Sequence, residues 1–279
     1  MKRRMLEVFE GTWLQMRKPY YQGVAAEFAF FFLLSVIPLV IILAELLGFF
    51  SISIDILQEL IRTYGGSDLL RLTQDFFEYK PSGTINVIFL LFALWAASKA
   101  QFSLIRIANY TYTGRNAGKG YIRERLRSIG TVLLPIILLI VAIPVLFYGD
   151  SVAGILDLYT GQLLHTKASL LEQLWNLLRW PLAIAVYFAV ISLTYYLIPM
   201  ERGRFRDELP GAVLASVGML LVTFLYSYYI SHYSNYDLLY GSLATVVGLL
   251  MWFYILGFVL VIGIVFNAVM KDLKEEKRK

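Results

Sequence analysis

The sequence predicts an all-α integral membrane protein, a six-transmembrane-helix bundle with short amphipathic helices in the outer loops. Two features of its composition support this fold class. Hydrophobic residues make up 58% of the 279 residues and charged residues 16%, against roughly 45–50% and about 25% in soluble domains. The apolar residues lie in long blocks, and lysine and arginine collect in alternate connections between them. Lipid is therefore the expected solvent for most of the chain.

Six apolar segments are long enough to cross a bilayer. Each reaches the roughly 20 residues that a helix needs to cross about 30 Å of hydrocarbon. Helix is the expected conformation because every backbone polar group must be satisfied within its own segment. The predicted spans, which form one membrane domain, cover residues 24–50, 84–110, 129–148, 174–198, 210–232 and 238–268.

The distribution of basic residues predicts the orientation. Eighteen lysines and arginines lie in the N-terminal tail (1–20), the second and fourth connections, and the C-terminal tail (270–279), whereas five lie around the other three connections. Because cytoplasmic segments are enriched in Lys and Arg, both termini are expected in the cytoplasm, which requires an even number of spans. The outer connections place apolar and charged residues at helical spacing, which predicts short amphipathic helices at the outer interface.

Two cations lie inside the second span. With about 100° per residue, one helix face carries Trp95, Lys99, Phe102, Arg106 and Asn109. Arg106 lies about one turn from the cytoplasmic end, and Lys99 lies about 16 Å deep, near the midplane. A charge at the centre costs at least about 2.5–3.5 kcal/mol, so Lys99 needs a partner or a water-filled cavity.

Two glutamates of the first span are the candidate partners. Glu27 falls about 7 Å inside the cytoplasmic boundary, level with Arg106. Glu45 lies nearer the outer boundary, and its side chain is expected within reach of Lys99. One interpretation is two ion pairs that fix helix register. The other is a basic site for an anionic group, which the two acids tune or gate.

Enzyme chemistry has little support in the sequence. There is no cysteine, and the two histidines are isolated at positions 165 and 232, too few for a His-rich metal site. Walker and G-x-S-x-G motifs are absent. We therefore expect no metal, no cofactor and no catalytic residue. The net charge of +5 is interpreted as a topology signal rather than as a nucleic-acid surface.

Four ordered segments carry a resemblance to a known family. They are EFAFFFLLSVIPLV, LWAASKAQFSLIRIANYTY, LPGAVLASVG and YGSLATVVGLLMWFYILGFVLVIGIVFNA. Over roughly residues 5–270 the chain resembles the YihY / virulence factor BrkB family. The resemblance implies a six-span protein of the bacterial cytoplasmic membrane, for which transport of envelope lipids or lipid-linked compounds is one proposal. Some members were long labelled ribonuclease BN, a label that this sequence gives no physical reason to accept.

The family's patterns are matched position by position. Val265 is a departure, since many relatives have Glu there, so any role that needs an acid at this position is in doubt. The matching residues are Ser35 and Pro38 in the first span, Trp95, Ser98, Lys99 and Asn109 in the second, Pro210 and Gly211 in the fifth, and Tyr240, Gly241, Gly263 and Asn267 in or near the sixth.

Two functions of different class are compatible with these patterns. The first is a transporter or flippase-like protein for an anionic lipid or lipid-linked amphiphile. In it Lys99 binds the head group, Arg106 and Asn109 guide it, and Trp95 and Ser98 lie beside it. The alternative is a non-transporting scaffold or regulator of cell-envelope assembly. The expected partners are membrane lipids, with anionic ones favoured, and self-association into a homo-oligomer is left open.

Overall fold

The computed structural model describes residues 2–49, 62, 83–114, 122–133, 168–199, 203–233 and 242–276, and every regular element in these ranges is an α-helix. Besides the single helical residue 62, these ranges contain seven helices. They are α1 (Lys2–Met16), α2 (Pro19–Phe49), α3 (Gly83–Thr113), α4 (122–133), α5 (Ala168–Leu197), α6 (Phe205–Tyr233) and α7 (Ser242–Glu276).

Three of these helices are long and apolar enough to cross a membrane. The qualifying segments within the described residues are Val87–Thr113 of α3, Phe205–Ile230 of α6 and Val246–Glu276 of α7. A shorter apolar stretch, Pro181–Leu197, lies in α5. The count of six spans stays a prediction. Most of the third predicted span, the outer amphipathic helices, Tyr240 and Gly241 lie outside the described residues.

Helices α2 and α3 pack side by side in antiparallel directions. The Tyr20 and Tyr110 rings contact each other with centroids 5.0 Å apart near one end of the pair. Further along, the Phe31 ring meets Trp95 edge to face at 6.0 Å. Residue numbers therefore rise along α2 as they fall along α3, and this register fixes which side chains share a depth.

Helix α7 lies against several other helices, and small residues allow the close approach. A side chain at Gly257 would come within 2.8 Å of the Phe28 ring of α2, and one at Gly218 of α6 within 2.8 Å of Val259. On α1, a side chain at Gly11 would come within 2.9 Å of the Val269 side chain. The core therefore forms around α7, where buried side chains of α1, α2, α3, α5 and α6 converge.

One end of the bundle gathers the charged helix ends. At this end Lys274 of α7 forms an ion pair with Asp207 of α6 (2.7 Å), and the Tyr112 hydroxyl of α3 donates to Glu208 (2.8 Å). Helix α3 stops here because Gly114 adopts φ +66°, a left-handed conformation that suits glycine after a helix. We call this the basic end, marked by Tyr112, Asp207, Glu208 and Lys274.

Two details of the sequence analysis change. Residues 2–16 of the basic N-terminal tail form a helix, α1, which the span analysis did not anticipate. Pro210, expected in the first turn of the fifth span, instead lies inside α6, which begins five residues earlier at Phe205. The apolar pattern marks only the lipid-soluble part of a helix, whereas the hydrogen-bonded helix continues into the polar boundary.

Candidate functional site

Lys99 lies half-buried in the middle of α3, facing α2. Its ammonium lies 5.8 Å from the centroid of the Phe31 ring, a weak attraction between cation and aromatic face. Within the described part of the chain it has no carboxylate partner. Trp95, one turn away on the same face, is 45% exposed. The Lys99 face is therefore open toward the surroundings of the bundle on its Trp95 side.

Arg106 and Glu27 form the ion pair that the depth match predicted. The Nη2 of Arg106 donates to Oε2 of Glu27, and each side chain is about one-third exposed, at 36% and 31%. The guanidinium also lies 5.7 Å from the centroid of the Phe102 ring. Its Nε is buried without a hydrogen-bond partner. The pair neutralises the charge of Arg106 but leaves part of its hydrogen-bonding capacity unused.

A third cation, Arg125 of α4, contacts the backbone of α3 one helical turn before Lys99. Its Nη2 donates to the backbone oxygen of Trp95 at 3.2 Å, and its Nη1 is buried without a hydrogen-bond partner. That backbone oxygen lies one helical turn before Lys99, so the guanidinium approaches the turn that carries the ammonium. The sequence alone does not single out Arg125, because it lies in a basic connection whose charge is already explained as a topology signal.

Ser98 and Asn109 take part in packing on the buried side of α3. Ser98 is fully buried and its hydroxyl donates to the Trp95 backbone oxygen at 2.9 Å. Asn109 is also buried, and its Nδ2 donates to Oε1 of Glu124 in α4 at 3.4 Å. The predicted set therefore divides, with Trp95, Lys99 and Arg106 toward the open side and Ser98 and Asn109 toward α3's neighbours.

We call Lys99, Arg106 and Arg125 the basic patch. Two carboxylates of the described residues lie close to it, Glu27 on Arg106 and Glu124 on Asn109. Glu27 balances Arg106, whereas no carboxylate in the described ranges pairs with Lys99, which leaves an excess of positive charge there. Such an arrangement is suited to an anion with several acceptor oxygens, because guanidinium groups bind phosphate and carboxylate oxygens in pairs.

The predicted pairing of Glu45 with Lys99 stays a prediction. The side chain of Glu45 lies outside the described part of the structure, but its backbone belongs to the continuous helix α2. Lys99 faces Phe31, and the backbone of Glu45 lies fourteen residues further along α2, about 21 Å along the helix axis. The register therefore gives no support to a direct Lys99–Glu45 pair.

A second polar cluster, at the basic end, joins α6 to α7. The Asn267 side chain accepts a hydrogen bond from the Gly211 N–H (2.7 Å) and donates to the Glu208 backbone oxygen (2.9 Å) and to its carboxylate (3.0 Å). Pro210, which has no N–H, lies between these two backbone groups. Asn267 thus bridges the backbone on both sides of the proline, and Gly211 allows α7 close enough to do so. This cluster holds helices together.

Ser35 and Pro38, which match the family's pattern in the first span, are packed inside the bundle. Val265, which departs from that pattern, is packed inside as well. Pro38 lies buried within α2, and the Ser35 hydroxyl donates to the Phe32 backbone oxygen at 2.7 Å. Val265 is fully buried in the apolar core around α7. In the described ranges no three His, Cys, Asp or Glu side chains are grouped to hold a metal ion.

Comparison with known protein families shows which family the chain belongs to. The family model described as virulence factor BrkB matches residues 12–279. The chain belongs to the virulence factor BrkB family. UPF0761 relatives of the chain are named as membrane proteins, and three helices in the described part of this BrkB-family chain are long and apolar enough to cross a membrane.

Individual relatives differ in how much of the chain they share. The ribonuclease-like protein YfkH of Bacillus subtilis (strain 168) is 27% identical over 257 residues, 91% of each chain. A UPF0761 membrane protein of Xanthomonas campestris pv. campestris (strain B100) is 38% identical over 77 residues, 27% of this chain and 18% of the relative. Another, from Idiomarina loihiensis, is 32% identical over 93 residues, 33% of each. No solved structure matches the chain.

Proposed function

We propose that this BrkB-family protein binds the anionic head group of a lipid or lipid-linked amphiphile at the basic patch and carries it across the cell membrane as a transporter or flippase-like protein. The observation that carries the proposal is the excess positive charge at Lys99, Arg106 and Arg125. Lys99 and Arg106 lie on α3, whose apolar length can cross a membrane, and Arg125 of α4 contacts the same helix.

The depth of Lys99 favours an anionic ligand, because such a ligand would offset the cost of its unpaired charge in the membrane. Lys99 lies near the middle of the candidate span Val87–Thr113, where a charge without a partner is costly. An anionic head group would neutralise the charge of Lys99, and the guanidinium of Arg125, which donates to the Trp95 backbone oxygen, would lie about one helical turn away. The cationic side chain and the anionic head group are each unfavourable in lipid, and each would neutralise the other.

The surface beside the patch suits the rest of such a molecule. On α3, Leu91, Phe92 and Trp95 are exposed, and they lie along the turns next to Lys99. Acyl or prenyl tails can stay in contact with this apolar surface and with the surrounding lipid while the head group alone occupies the polar site. Carrying only the head group past the midplane avoids placing the tails in a polar cavity.

The same proposal includes the arrangement in the membrane. The chain would have six spans with both termini in the cytoplasm, so that the basic end faces the cytoplasm. The excess of Lys and Arg in alternate connections supports this orientation. The packing of α1 against the C-terminal part of α7 also supports it, because it brings the two terminal helices to one end of the bundle.

The experiment compares two lysines that differ in their partners. In Lys99→Met, methionine keeps the apolar stem and removes the charge. Lys274→Met removes the same charge from a lysine that has a permanent partner, Asp207. We would measure thermal stability and the binding of phosphatidylglycerol against phosphatidylcholine by native mass spectrometry of the detergent-purified protein.

We expect Lys99→Met to melt at the same or a higher temperature than the wild type and to lose its preference for phosphatidylglycerol. Lys274→Met should retain that preference and melt at a slightly lower temperature, since a half-exposed ion pair contributes at most about 1 kcal/mol. A Lys99→Met protein that is destabilised and still prefers the anionic lipid would show that Lys99 is a structural residue. That result would leave the scaffold alternative as the better account.

A further inference from the structure

Helix α1 has an apolar surface that the described part of the protein leaves largely uncovered. Four side chains along it, Met5, Leu6, Phe9 and Trp13, are exposed by about half or more, with Leu6 at 68% and Trp13 at 64%. Their spacing places them on one stripe of the helix. We call these four residues the α1 stripe. An exposed apolar stripe of this size on a charged helix needs a partner.

The side of α1 that faces the protein is a different one. Val8 and Thr12 are buried, and Gly11 lies against Val269 of α7. At about 100° per residue, the line through Val8 and Thr12 lies roughly a quarter turn from the centre of the α1 stripe. Helix α7 and the partner of the stripe therefore lie on adjacent, nearly perpendicular sides of α1.

The depth of α1 relative to α7 indicates which partner this is. Phe9 contacts the Phe266 ring edge to face, with centroids 5.7 Å apart. Phe266 and Val269 belong to the last apolar turns of α7, because the first charged residue of that helix is Lys271. Helix α1 therefore lies where the apolar surface of the bundle gives way to the charged one, which is the level of a membrane interface.

Length and charge support the same partner. With 15 residues, α1 is about 22 Å long and too short to cross the hydrocarbon core. Residues 2–18 contain five basic and two acidic residues. The Arg17 guanidinium lies 5.5 Å from the centroid of the Trp13 ring, so a cation borders the stripe. An aromatic and apolar stripe bordered by cations is typical of helices that lie on anionic lipid surfaces.

We propose that α1 is an in-plane helix that inserts the α1 stripe into the lipid interface at the basic end of the bundle and binds anionic lipid head groups through its flanking lysines and arginines. This surface is separate from the basic patch and does not depend on transport. It would hold the N-terminal part of the chain flat on the membrane and fix the depth of α7 beside it.

The test uses single cysteines, which the cysteine-free chain permits. Leu6→Cys lies on the stripe and Leu14→Cys does not, yet both replace an exposed leucine, 68% and 57% exposed respectively. Each full-length variant would be spin-labelled and reconstituted in vesicles of phosphatidylcholine, with and without phosphatidylglycerol. Collision with oxygen, which concentrates in lipid, and with a water-soluble nickel complex then reports depth. Thermal melting checks that both variants fold.

We expect the label at position 6 to collide mainly with oxygen and the label at position 14 mainly with the nickel complex, with a larger difference when phosphatidylglycerol is present. Arg17→Gln should reduce that lipid-dependent increase. Equal exposure of both labels to the nickel complex would overturn the proposal. If the label at position 6 is shielded from both reagents and couples magnetically to another label, the stripe contacts a second copy of the chain. If the depth of the label at position 6 does not depend on phosphatidylglycerol, the proposed binding of anionic head groups is overturned.

Discussion

At the residue scale, the contact between Arg106 and Glu27 is decided by depth and register. Each side chain lies about a third exposed between α2 and α3, where water screens a charge less than at a protein surface. Removing one partner leaves the other charge without compensation, whereas removing both leaves two neutral amides. The two substitutions should therefore be strongly non-additive.

A double-mutant cycle on Glu27→Gln and Arg106→Gln measures this coupling. We expect each single variant to lower the free energy of unfolding by more than the double variant does, with a coupling energy of about 1–2 kcal/mol. Unfolding in mixed detergent micelles gives the three differences. A matched cycle on Asp207→Asn and Lys274→Met, at the more exposed pair, should give a smaller coupling. A coupling near zero at Glu27 and Arg106 would mean that the contact does not stabilise the fold.

At the scale of elements, the crossing of α6 and α7 depends on two glycines. A side chain at Gly211 would overlap the Gly263 backbone oxygen and come within 2.6 Å of the Asn267 side chain. A side chain at Gly263 would overlap the Tyr195 hydroxyl, which donates to the Leu260 backbone oxygen at 2.7 Å. Backbone and buried hydrogen-bonded groups cannot move aside cheaply, so the helices would have to separate.

We predict that Gly211→Ala lowers the free energy of unfolding by about 3 kcal/mol or more, the upper part of the range for overpacking. The control is Gly23→Ala in α2, where an added methyl group meets no atom within 4 Å and alanine should stabilise the helix by up to about 1 kcal/mol. Opposite signs at the two positions are the expected result, measured by unfolding in mixed micelles. A neutral Gly211→Ala would contradict the close crossing.

Helices α3 and α4 show why part of the candidate site could be predicted and part could not. Lys99 and Arg106 stand out as charges within an apolar segment, and equal depth was enough to match Arg106 with Glu27. Arg125 lies in a basic stretch where a topology signal already explains its charge, so its approach to Trp95 follows only from how α4 packs. The pairing of Glu45 with Lys99 is predicted from depth alone. The contacts of Phe31 with Trp95 and Lys99 add the register between α2 and α3.

At the scale of the whole molecule, the proposed topology makes opposite predictions for the two sides of the membrane. Cysteines introduced at Ser82 and Lys167 should react with a membrane-impermeant maleimide added outside intact cells, whereas cysteines at Lys119 and Arg204 should react only after the cells are opened. The reason is that the basic connections stay in the cytoplasm. Labelling of position 119 from outside would reverse the orientation.

Apolar segments thus predict the helices α3, α6 and α7, which are long enough to cross a membrane, whereas the orientation that the basic residues indicate stays a prediction. Helix α1 does not follow from the apolar segments. Its apolar residues are too few for a span, and its basic residues were explained by topology. The packing of α1 against α7 follows only from tertiary contacts, such as that between Gly11 and Val269.

The central claim is that the basic patch holds an anionic head group, and photo-cross-linking from its open side tests it most directly. A benzophenone amino acid would replace Trp95, beside Lys99, and, as the control, Phe224 on the exposed surface of α6, where the side chain is 68% exposed. After irradiation in native membranes, mass spectrometry would identify the lipids attached at each position. We predict that anionic, phosphate-bearing lipids are enriched several-fold at position 95 over position 224, and that Lys99→Met removes the enrichment. The same lipid composition at both positions, unchanged by Lys99→Met, would contradict the claim.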